Sequence, residues 1–160
     1  MLDRRRSLLG GLGALTLALA AVFTTGPAQA APTDRDLSHV LTMPAAAPAP
    51  GSAAAEPPTT WPKANKIVHV PIGGSLNCES GNLCVAAWDT TRSDYAVFSL
   101  YYCDTYTLSN FLGAGSYQNS QTGGATAYFY GQSGNLIKSV PTGVYGGNYN
   151  WNPVWSIKNC

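Results

Sequence analysis

Four cysteines, all beyond residue 77, constrain the fold of this 160-residue chain more than any other feature. They are Cys78, Cys84, Cys103 and Cys160. An even number of cysteines in a short exported domain predicts a framework of disulfide bonds, which adds the stability that a small core lacks. A four-cysteine zinc site is the alternative, but Cys103 and Cys160 each stand alone, whereas zinc ligands usually come in closely spaced pairs. From the residues alone, all three ways of pairing four cysteines stay open.

The first 30 residues have the pattern of a signal peptide, which is removed on export. Arginines at 4–6 precede an uncharged apolar run over 8–23 and a small-x-small cleavage site at 28–30. The apolar run is too short and too rich in glycine for a comfortable membrane span, so we expect a secreted, extracellular protein without an anchor. Arg5 and Arg6 also resemble a twin-arginine signal, but arginines before an apolar core are ordinary for the general secretory route, which we favour.

Residues 31–60 differ in composition from the rest of the exported chain. The stretch 44–58 is almost wholly Ala, Pro, Gly and Ser, and Glu56 is its only charge. Such a stretch buries too little apolar surface to offset the entropy of ordering it. We therefore expect a disordered Ala/Pro-rich linker over 31–60, acting as a spacer or a processed pro-segment, and one domain over 61–160. A tether that holds the domain away from a cell surface is the alternative.

The charge balance of the exported chain excludes some classes of partner. Residues 31–160 contain six Lys/Arg and seven Asp/Glu, so the net charge is −1 with histidine neutral. We therefore expect no binding to nucleic acid or to a membrane, because this balance does not attract a polyanion. The domain is instead rich in aromatic residues, with four Trp, nine Tyr and three Phe over 61–160.

Apolar alternation predicts an all-β domain. Short runs rich in β-branched and aromatic residues recur between turn-forming residues, as strands do. The predicted strands are 67–72, 83–88, 95–102, 125–130, 136–140 and 154–157. No window has a sustained helical period with caps, and short strands at this spacing favour a sandwich or a barrel.

The domain also contains an internal repeat. When residues 85–119 are laid on 125–159, an offset of 40 without a gap, six positions are identical. They are Ala87/Ala127, Ser93/Ser133, Ser99/Ser139, Asn110/Asn150, Ser116/Ser156 and Asn119/Asn159. Both halves begin with Ala and an aromatic residue and end in Ser-apolar-x-Asn, so we expect two motifs of about 40 residues, each of four short strands.

Several segments of the domain resemble an actinobacterial family of secreted metalloproteinase inhibitors with a βγ-crystallin-like fold. The segments are Cys-Glu-Ser-Gly-Asn-Leu-Cys-Val at 78–85, Leu-Tyr-Tyr-Cys at 100–103, Leu-Ser-Asn-Phe at 108–111, Ser-Tyr-Gln-Asn-Ser-Gln-Thr-Gly at 116–123, Tyr-Gly-Gln-Ser-Gly-Asn at 130–135 and Trp-Ser-Ile-Lys-Asn-Cys at 155–160. The resemblance covers about residues 75–160. It implies a βγ-crystallin-like two-motif Greek-key sandwich, stabilised by two disulfides, Cys78–Cys84 and Cys103–Cys160.

Many βγ-crystallin-like domains bind calcium, but these residues do not favour it. Only Ser116, Asn152 and Ser156 fit the calcium motif of such domains in the segments 111–116 and 151–156, and neither segment contains Asp or Glu. Calcium prefers several oxygen ligands, usually including carboxylates. We therefore expect no metal site and no cofactor.

No constellation of residues indicates catalysis. His69 is the only histidine of the domain, and no motif supplies it with a nucleophile and an orienting carboxylate. Asp89 and Asp94 flank Arg92 in what reads as a loop, where a solvated cluster of charges is the simpler interpretation. We expect no catalytic residues and a protein that is not an enzyme.

The family resemblance implies inhibition of extracellular proteases, metalloproteases in particular. A disulfide-braced β-domain can present a rigid loop to an active-site cleft, with little ordering entropy left to lose. The candidate loops are 89–94, 113–124 and 142–153.

Binding of carbohydrate or cell-wall polysaccharide is the alternative, and a toxin-like or structural protein of the same fold is a third. Exposed Tyr and Trp side chains can stack on sugar rings, and Tyr145, Tyr149, Trp151 and Trp155 cluster near asparagines in the sequence. These four residues are the predicted binding surface. At least half of the aromatic residues in this region are expected to be core, and burial of both tryptophans would remove the main support for this alternative.

Overall fold

The computed structural model describes residues 39–48 and 56–160, and within them it shows twelve β-strands and no α-helix. The predicted signal peptide and the linker segments 31–38 and 49–55 lie outside the described residues. The strands are β1 (Val40–Thr42), β2 (Thr59–Trp61), β3 (Lys66–Val70), β4 (Ser75–Asn77), β5 (Leu83–Asp89), β6 (Asp94–Leu100), β7 (Thr105–Ser109), β8 (Ala114–Asn119), β9 (Thr126–Tyr130), β10 (Leu136–Pro141), β11 (Tyr145–Asn150) and β12 (Ser156–Lys158). The prediction of an all-β domain is confirmed.

Ten of these strands form two five-stranded antiparallel sheets that pack face to face. The front sheet has the order β10-β9-β12-β7-β2, and the back sheet has the order β11-β8-β5-β6-β3. The strands β1 and β4 pair with each other. Buried side chains from both sheets fill the space between them, among them Val85 and Phe98 of the back sheet and Phe129 and Ile157 of the front sheet. Alternate residues of each strand supply this core because they point to the same face.

Two groups of four strands each give one strand to the opposite sheet. In the first group, β5, β6 and β8 lie in the back sheet and β7 lies in the front sheet. In the second group, β9, β10 and β12 lie in the front sheet and β11 lies in the back sheet. An offset of 40 residues makes each strand of the first group overlap its counterpart in the second. The sequence repeat therefore corresponds to a structural repeat in which each motif completes the sheet of the other.

Two repeated asparagines join the motifs by equivalent hydrogen bonds. Asn119 Nδ2 donates to the carbonyl oxygen of Val140 at 2.7 Å, and Asn159 Nδ2 donates to that of Leu100 at 2.9 Å. Leu100 and Val140 are themselves 40 residues apart, and both asparagines are fully buried. Each motif therefore donates the same side-chain hydrogen bond to the end of the second strand of the other motif.

The disorder predicted over 31–60 is wrong for residues 40–48, and also for residues 59–60, which belong to β2 and pair with β7. β1 pairs with β4 in the first of these segments, and Leu41 and Met43 are 0 % and 3 % exposed in one apolar cluster with the Cys78–Cys84 disulfide. The two side chains alternate as those of a strand do, but the pattern is too short to stand out beside an Ala/Pro-rich stretch. The folded domain therefore begins within the predicted linker.

Both disulfides implied by the family resemblance are present. Cys78–Cys84 joins the end of β4 to β5, and both of its residues are buried. Cys103–Cys160 ties the connection between β6 and β7 to the last residue across a sequence separation of 57. The first bridge therefore lies inside the apolar cluster on the outer face of the back sheet, whereas the second spans both motifs.

Tyr95 makes the stability of the fold sensitive to alkaline pH. Its side chain is buried in β6, its hydroxyl donates to the carbonyl oxygen of Ala46 at 2.9 Å, and burial raises its pKa from 10.0 to about 12. Between these two values the unfolded chain loses the proton while the folded protein keeps it, so the free energy of unfolding falls as the pH rises. Below the lower value both states hold the proton, and the group adds no pH dependence.

Replacing Tyr95 by phenylalanine is expected to flatten this alkaline decline. The variant also loses the hydrogen bond to Ala46, which lowers the free energy of unfolding at neutral pH by about 1 kcal/mol. Urea unfolding at about pH 8 and about pH 11 measures both effects. Tyr101→Phe is the matched control, because Tyr101 is 55 % exposed. An equally steep decline in the wild type and in Tyr95→Phe would show that Tyr95 is not its source.

Candidate functional site

The exposed turn between β5 and β6, residues 90–93, is the hairpin tip, and it is held by its own side chains. Asp89, buried at its base, accepts hydrogen bonds at Oδ1 from the backbone N–H and the hydroxyl of Thr91, at 2.9 and 2.6 Å. The backbone N–H of Ser93 donates to the carbonyl oxygen of Asp89 at 2.8 Å, and Ser93 has a φ of 56°. Side-chain bonds of this kind replace the strand ladder at a turn, so they favour one conformation of the tip.

A second carboxylate, that of Asp94, ties the hairpin tip to the neighbouring strand. His69 Nδ1 on β3 lies 2.8 Å from Asp94 Oδ1, and Arg92 Nε lies 3.5 Å from Asp94 Oδ2. One possible ligand atom each from His69, Asp89 and Asp94 lies within 4.8 Å of the others, as in some metal sites. Because Asp94 faces Arg92 and Asp89 is bonded to Thr91, we interpret this group as a support of the tip rather than as a metal centre.

Aromatic packing fixes the base of the same hairpin. Trp88 and Tyr95 face each other across β5 and β6, with ring centroids 5.1 Å apart in an edge-to-face arrangement. The bond from Tyr95 to Ala46 adds the N-terminal segment to this base. The two strands that carry the hairpin tip are therefore held in place by packing. The tip would lose little conformational entropy when a partner binds it.

Two of the three loops predicted for inhibition are wrong in part, because half of each stretch is strand. The stretch 113–124 contains β8, and the stretch 142–153 contains β11. Both strands contain glycine, and a Cβ atom on Gly115 would collide with the indole nitrogen of Trp151. Glycine admits a ring close to the backbone here, which is its usual role inside a strand. The predicted loop 89–94 is a single exposed turn with one strand residue at each end, whereas the exposed turns of the other two stretches, at 122–124, 142–143 and 152–153, lie beside those strands.

The four aromatic residues predicted as a binding surface do not form one. Trp151 is 0 % exposed and its indole N–H donates to the carbonyl oxygen of Ala86 at 2.8 Å, so its prediction as a surface residue is wrong. Tyr149 is half-buried against Trp151, with ring centroids 4.9 Å apart. Tyr145 and Trp155 are about half exposed. Tyr145 belongs to the back sheet, whereas the backbone of Trp155 is bonded to residues of the front sheet.

A pocket of about 360 Å³ lies beside the Cys103–Cys160 disulfide, between Tyr101, Tyr102 and Gln121. Gln121 is 92 % buried, and its amide N–H donates to the carbonyl oxygen of Asn159. Within the described residues, Gln121 Oε1 has no hydrogen-bond partner, and neither has Asn159 Oδ1. Buried water commonly satisfies such oxygens, so they do not by themselves define a ligand site. The sequence could not indicate this pocket, because three separate connections meet there.

No protein-family model, curated protein or solved structure matches this chain. Among residues 39–48 and 56–160, no helix is long and apolar enough to cross a membrane. The two disulfides are compatible with an extracellular protein, because such bonds persist in oxidising compartments. The role of the hairpin tip is therefore inferred from its geometry and chemistry.

Proposed function

We propose that this chain is a secreted, non-enzymatic inhibitor of extracellular metalloproteases, built as a βγ-crystallin-like sandwich of two Greek-key motifs. Strand order supports the fold: β8 lies beside β5 and β12 lies beside β9, so the fourth strand of each motif returns to its first. That return is the defining feature of a Greek key. The third strand of each motif crosses to the other sheet, which joins the motifs around one core.

The observation that carries the inhibitor proposal is that the hairpin tip is both exposed and held. All four of its residues are exposed, while Asp89 and Asp94 bind it from below. A protease cleft accepts an exposed loop, and a loop already in its bound conformation loses little entropy on binding. β5 and β6 pair over seven positions, so a cut within the tip would leave both new ends anchored in the back sheet.

Arg92 sets the charge of the hairpin tip. Its side chain is 58 % exposed, whereas that of Asp94 behind it is 20 % exposed. The tip therefore presents a positive group outward and keeps its counter-charge towards the sheet. This arrangement favours a target cleft with acidic groups, because complementary charge speeds association and selects among partners.

Arg92→Ala is expected to weaken inhibition about tenfold, which corresponds to about 1.4 kcal/mol of binding free energy. The inhibition constant is measured with the full oxidised chain against the secreted metalloprotease that the wild type inhibits most strongly. Gln132→Ala is the matched control, because Gln132 is the repeat equivalent of Arg92 and is exposed in the turn between β9 and β10. Equal inhibition constants for the two variants would exclude the hairpin tip as the contact.

A further inference from the structure

The two outer faces of the sandwich differ in chemistry. On the outer face of the back sheet, Leu41 and Met43 pack with Val97 and the Cys78–Cys84 disulfide in a second apolar cluster. The outer face of the front sheet carries exposed and half-exposed side chains instead, most of them hydroxyl-bearing. A sheet face of this composition needs no apolar cover, and it leaves aromatic rings accessible beside hydroxyl groups.

Two rows of side chains cross the outer face of the front sheet in register. They are Trp61–Thr107–Ser156–Tyr130 and Thr105–Lys158–Tyr128–Ser139. Residues that are paired in register lie on the same face of a sheet, so the members of each row are neighbours. Three strand spacings separate Trp61 from Tyr130, which is about 14 Å. Tyr128 lies two residues from Tyr130 along β9, about 7 Å away on the same face.

The rings on this face are available for stacking. Trp61 is 77 % exposed, and Tyr128 and Tyr130 are partly exposed. Tyr and Trp combine a large apolar ring with a polar group, so they can cover the apolar face of a sugar ring and still donate a hydrogen bond. The Ser and Thr hydroxyls between them both donate and accept, as a chain of sugar hydroxyls requires.

Charge and shape narrow the class of ligand. Lys158 is the one charged residue in the two rows, so the face complements an uncharged ligand rather than a polyanion. Small molecules prefer concave sites, whereas this surface is a sheet face that offers contacts over about 14 Å. Protein–protein interfaces contain little serine, and their centres are apolar. This face contains two serines and has hydroxyl groups at its centre, so it does not resemble such an interface.

We propose that the outer face of the front sheet binds an extended, uncharged polysaccharide, with Trp61 and Tyr130 stacking on sugar rings and the hydroxyls of Thr107 and Ser156 bonding between them. This site is independent of the inhibitor proposal, because the hairpin tip belongs to the back sheet. A chain with both sites would hold its inhibitory tip near an insoluble polymer. Either activity can be lost without the other.

Sedimentation of the full oxidised chain with microcrystalline cellulose and with chitin tests the proposal. We expect the wild type to sediment with at least one of the two polymers and to stay bound when the salt concentration is raised. Trp61→Ala and Tyr130→Ala are each expected to lower the affinity about tenfold. Trp155→Ala is the control, because Trp155 is 47 % exposed but lies outside both rows, and it should bind as the wild type does.

Each other result counts against the proposal. A wild type that stays in the supernatant with both polymers would overturn it, and so would release of the bound protein by salt, which would mark electrostatic binding. Equal losses of affinity for the polymer in Trp61→Ala and Trp155→Ala would show that the outer face of the front sheet is not the binding site. Circular dichroism of each variant separates loss of the site from loss of the fold. Protease inhibition by Trp61→Ala should remain at the wild-type level, since the hairpin tip is intact.

Discussion

Trp151→Ala is expected to lower the free energy of unfolding by about 4 kcal/mol, the largest effect of any single substitution considered for this chain. Trp151 is fully buried at the centre of the core, where its ring centroid lies 4.9 Å from that of Tyr149, 5.4 Å from that of Phe129 and 5.7 Å from that of Phe111. Truncation leaves a cavity among these rings. It also leaves the carbonyl oxygen of Ala86 without its indole donor.

Urea unfolding of Trp151→Ala beside Trp155→Ala measures this effect. Trp155 is four residues away and 47 % exposed, so its truncation should cost less than about 1 kcal/mol. Trp151→Phe keeps a ring in the cavity, so its free energy of unfolding should lie between those of the two alanine variants. This variant preserves the test if Trp151→Ala does not fold. Similar losses for Trp151→Ala and Trp155→Ala would contradict the central position of Trp151.

Removal of the Cys103–Cys160 disulfide is expected to lower the free energy of unfolding by roughly 4 kcal/mol. The bridge closes a loop across a sequence separation of 57, and freeing a loop of this length returns much entropy to the unfolded chain. Cys103 is exposed and Cys160 is partly exposed, so the double alanine variant leaves little cavity and reports mainly the loss of the cross-link.

Unfolding of the double variants Cys103→Ala/Cys160→Ala and Cys78→Ala/Cys84→Ala compares the two bridges. The Cys78–Cys84 loop has a separation of 6, for which chain entropy predicts a loss of roughly 2 kcal/mol. Burial of both residues adds a packing loss to that value, so the difference between the variants is smaller than the entropies alone imply. A long-bridge variant as stable as the wild type would show that the bridge does not constrain the unfolded chain.

The repeat explains which parts of the fold were predictable. Strands rich in β-branched and aromatic residues, such as β5, β6 and β10, match their predicted positions within a few residues. The offset of 40 also pairs Phe111 with Trp151, and both are core residues in the structure. That pairing was the signal that Trp151 is buried, although its asparagine-rich surroundings are typical of an exposed loop.

Two of the missed strands, β8 and β11, share a physical cause. β8 and β11 contain glycine, which lowers strand propensity, yet Gly146 lies where a Cβ atom would collide with the ring of Tyr117. The ring needs that space, and local propensity does not include a requirement set by another strand. β1 is three residues long and is stabilised by packing on the back sheet, so no local pattern could reveal it.

The candidate sites were predictable only where their residues are close in the sequence. Asp89, Arg92 and Asp94 were found as a charged loop, because the group spans six consecutive residues. His69 was not connected with them, since it lies 25 residues from Asp94 and meets it through the pairing of β3 with β6. Trp61 and Tyr130 lie in one row that crosses four strands. Their position in the same row depends on the register of the strands and not on their separation in the sequence.

Titration of the purified, oxidised chain against secreted metalloproteases and serine proteases is the first experiment to carry out. If the hairpin tip is an inhibitory loop, at least one metalloprotease loses its activity at a one-to-one molar ratio, and the chain is recovered uncut. Full activity of every protease at a large molar excess of the chain would contradict the inhibitor proposal, whatever the polysaccharide experiment shows.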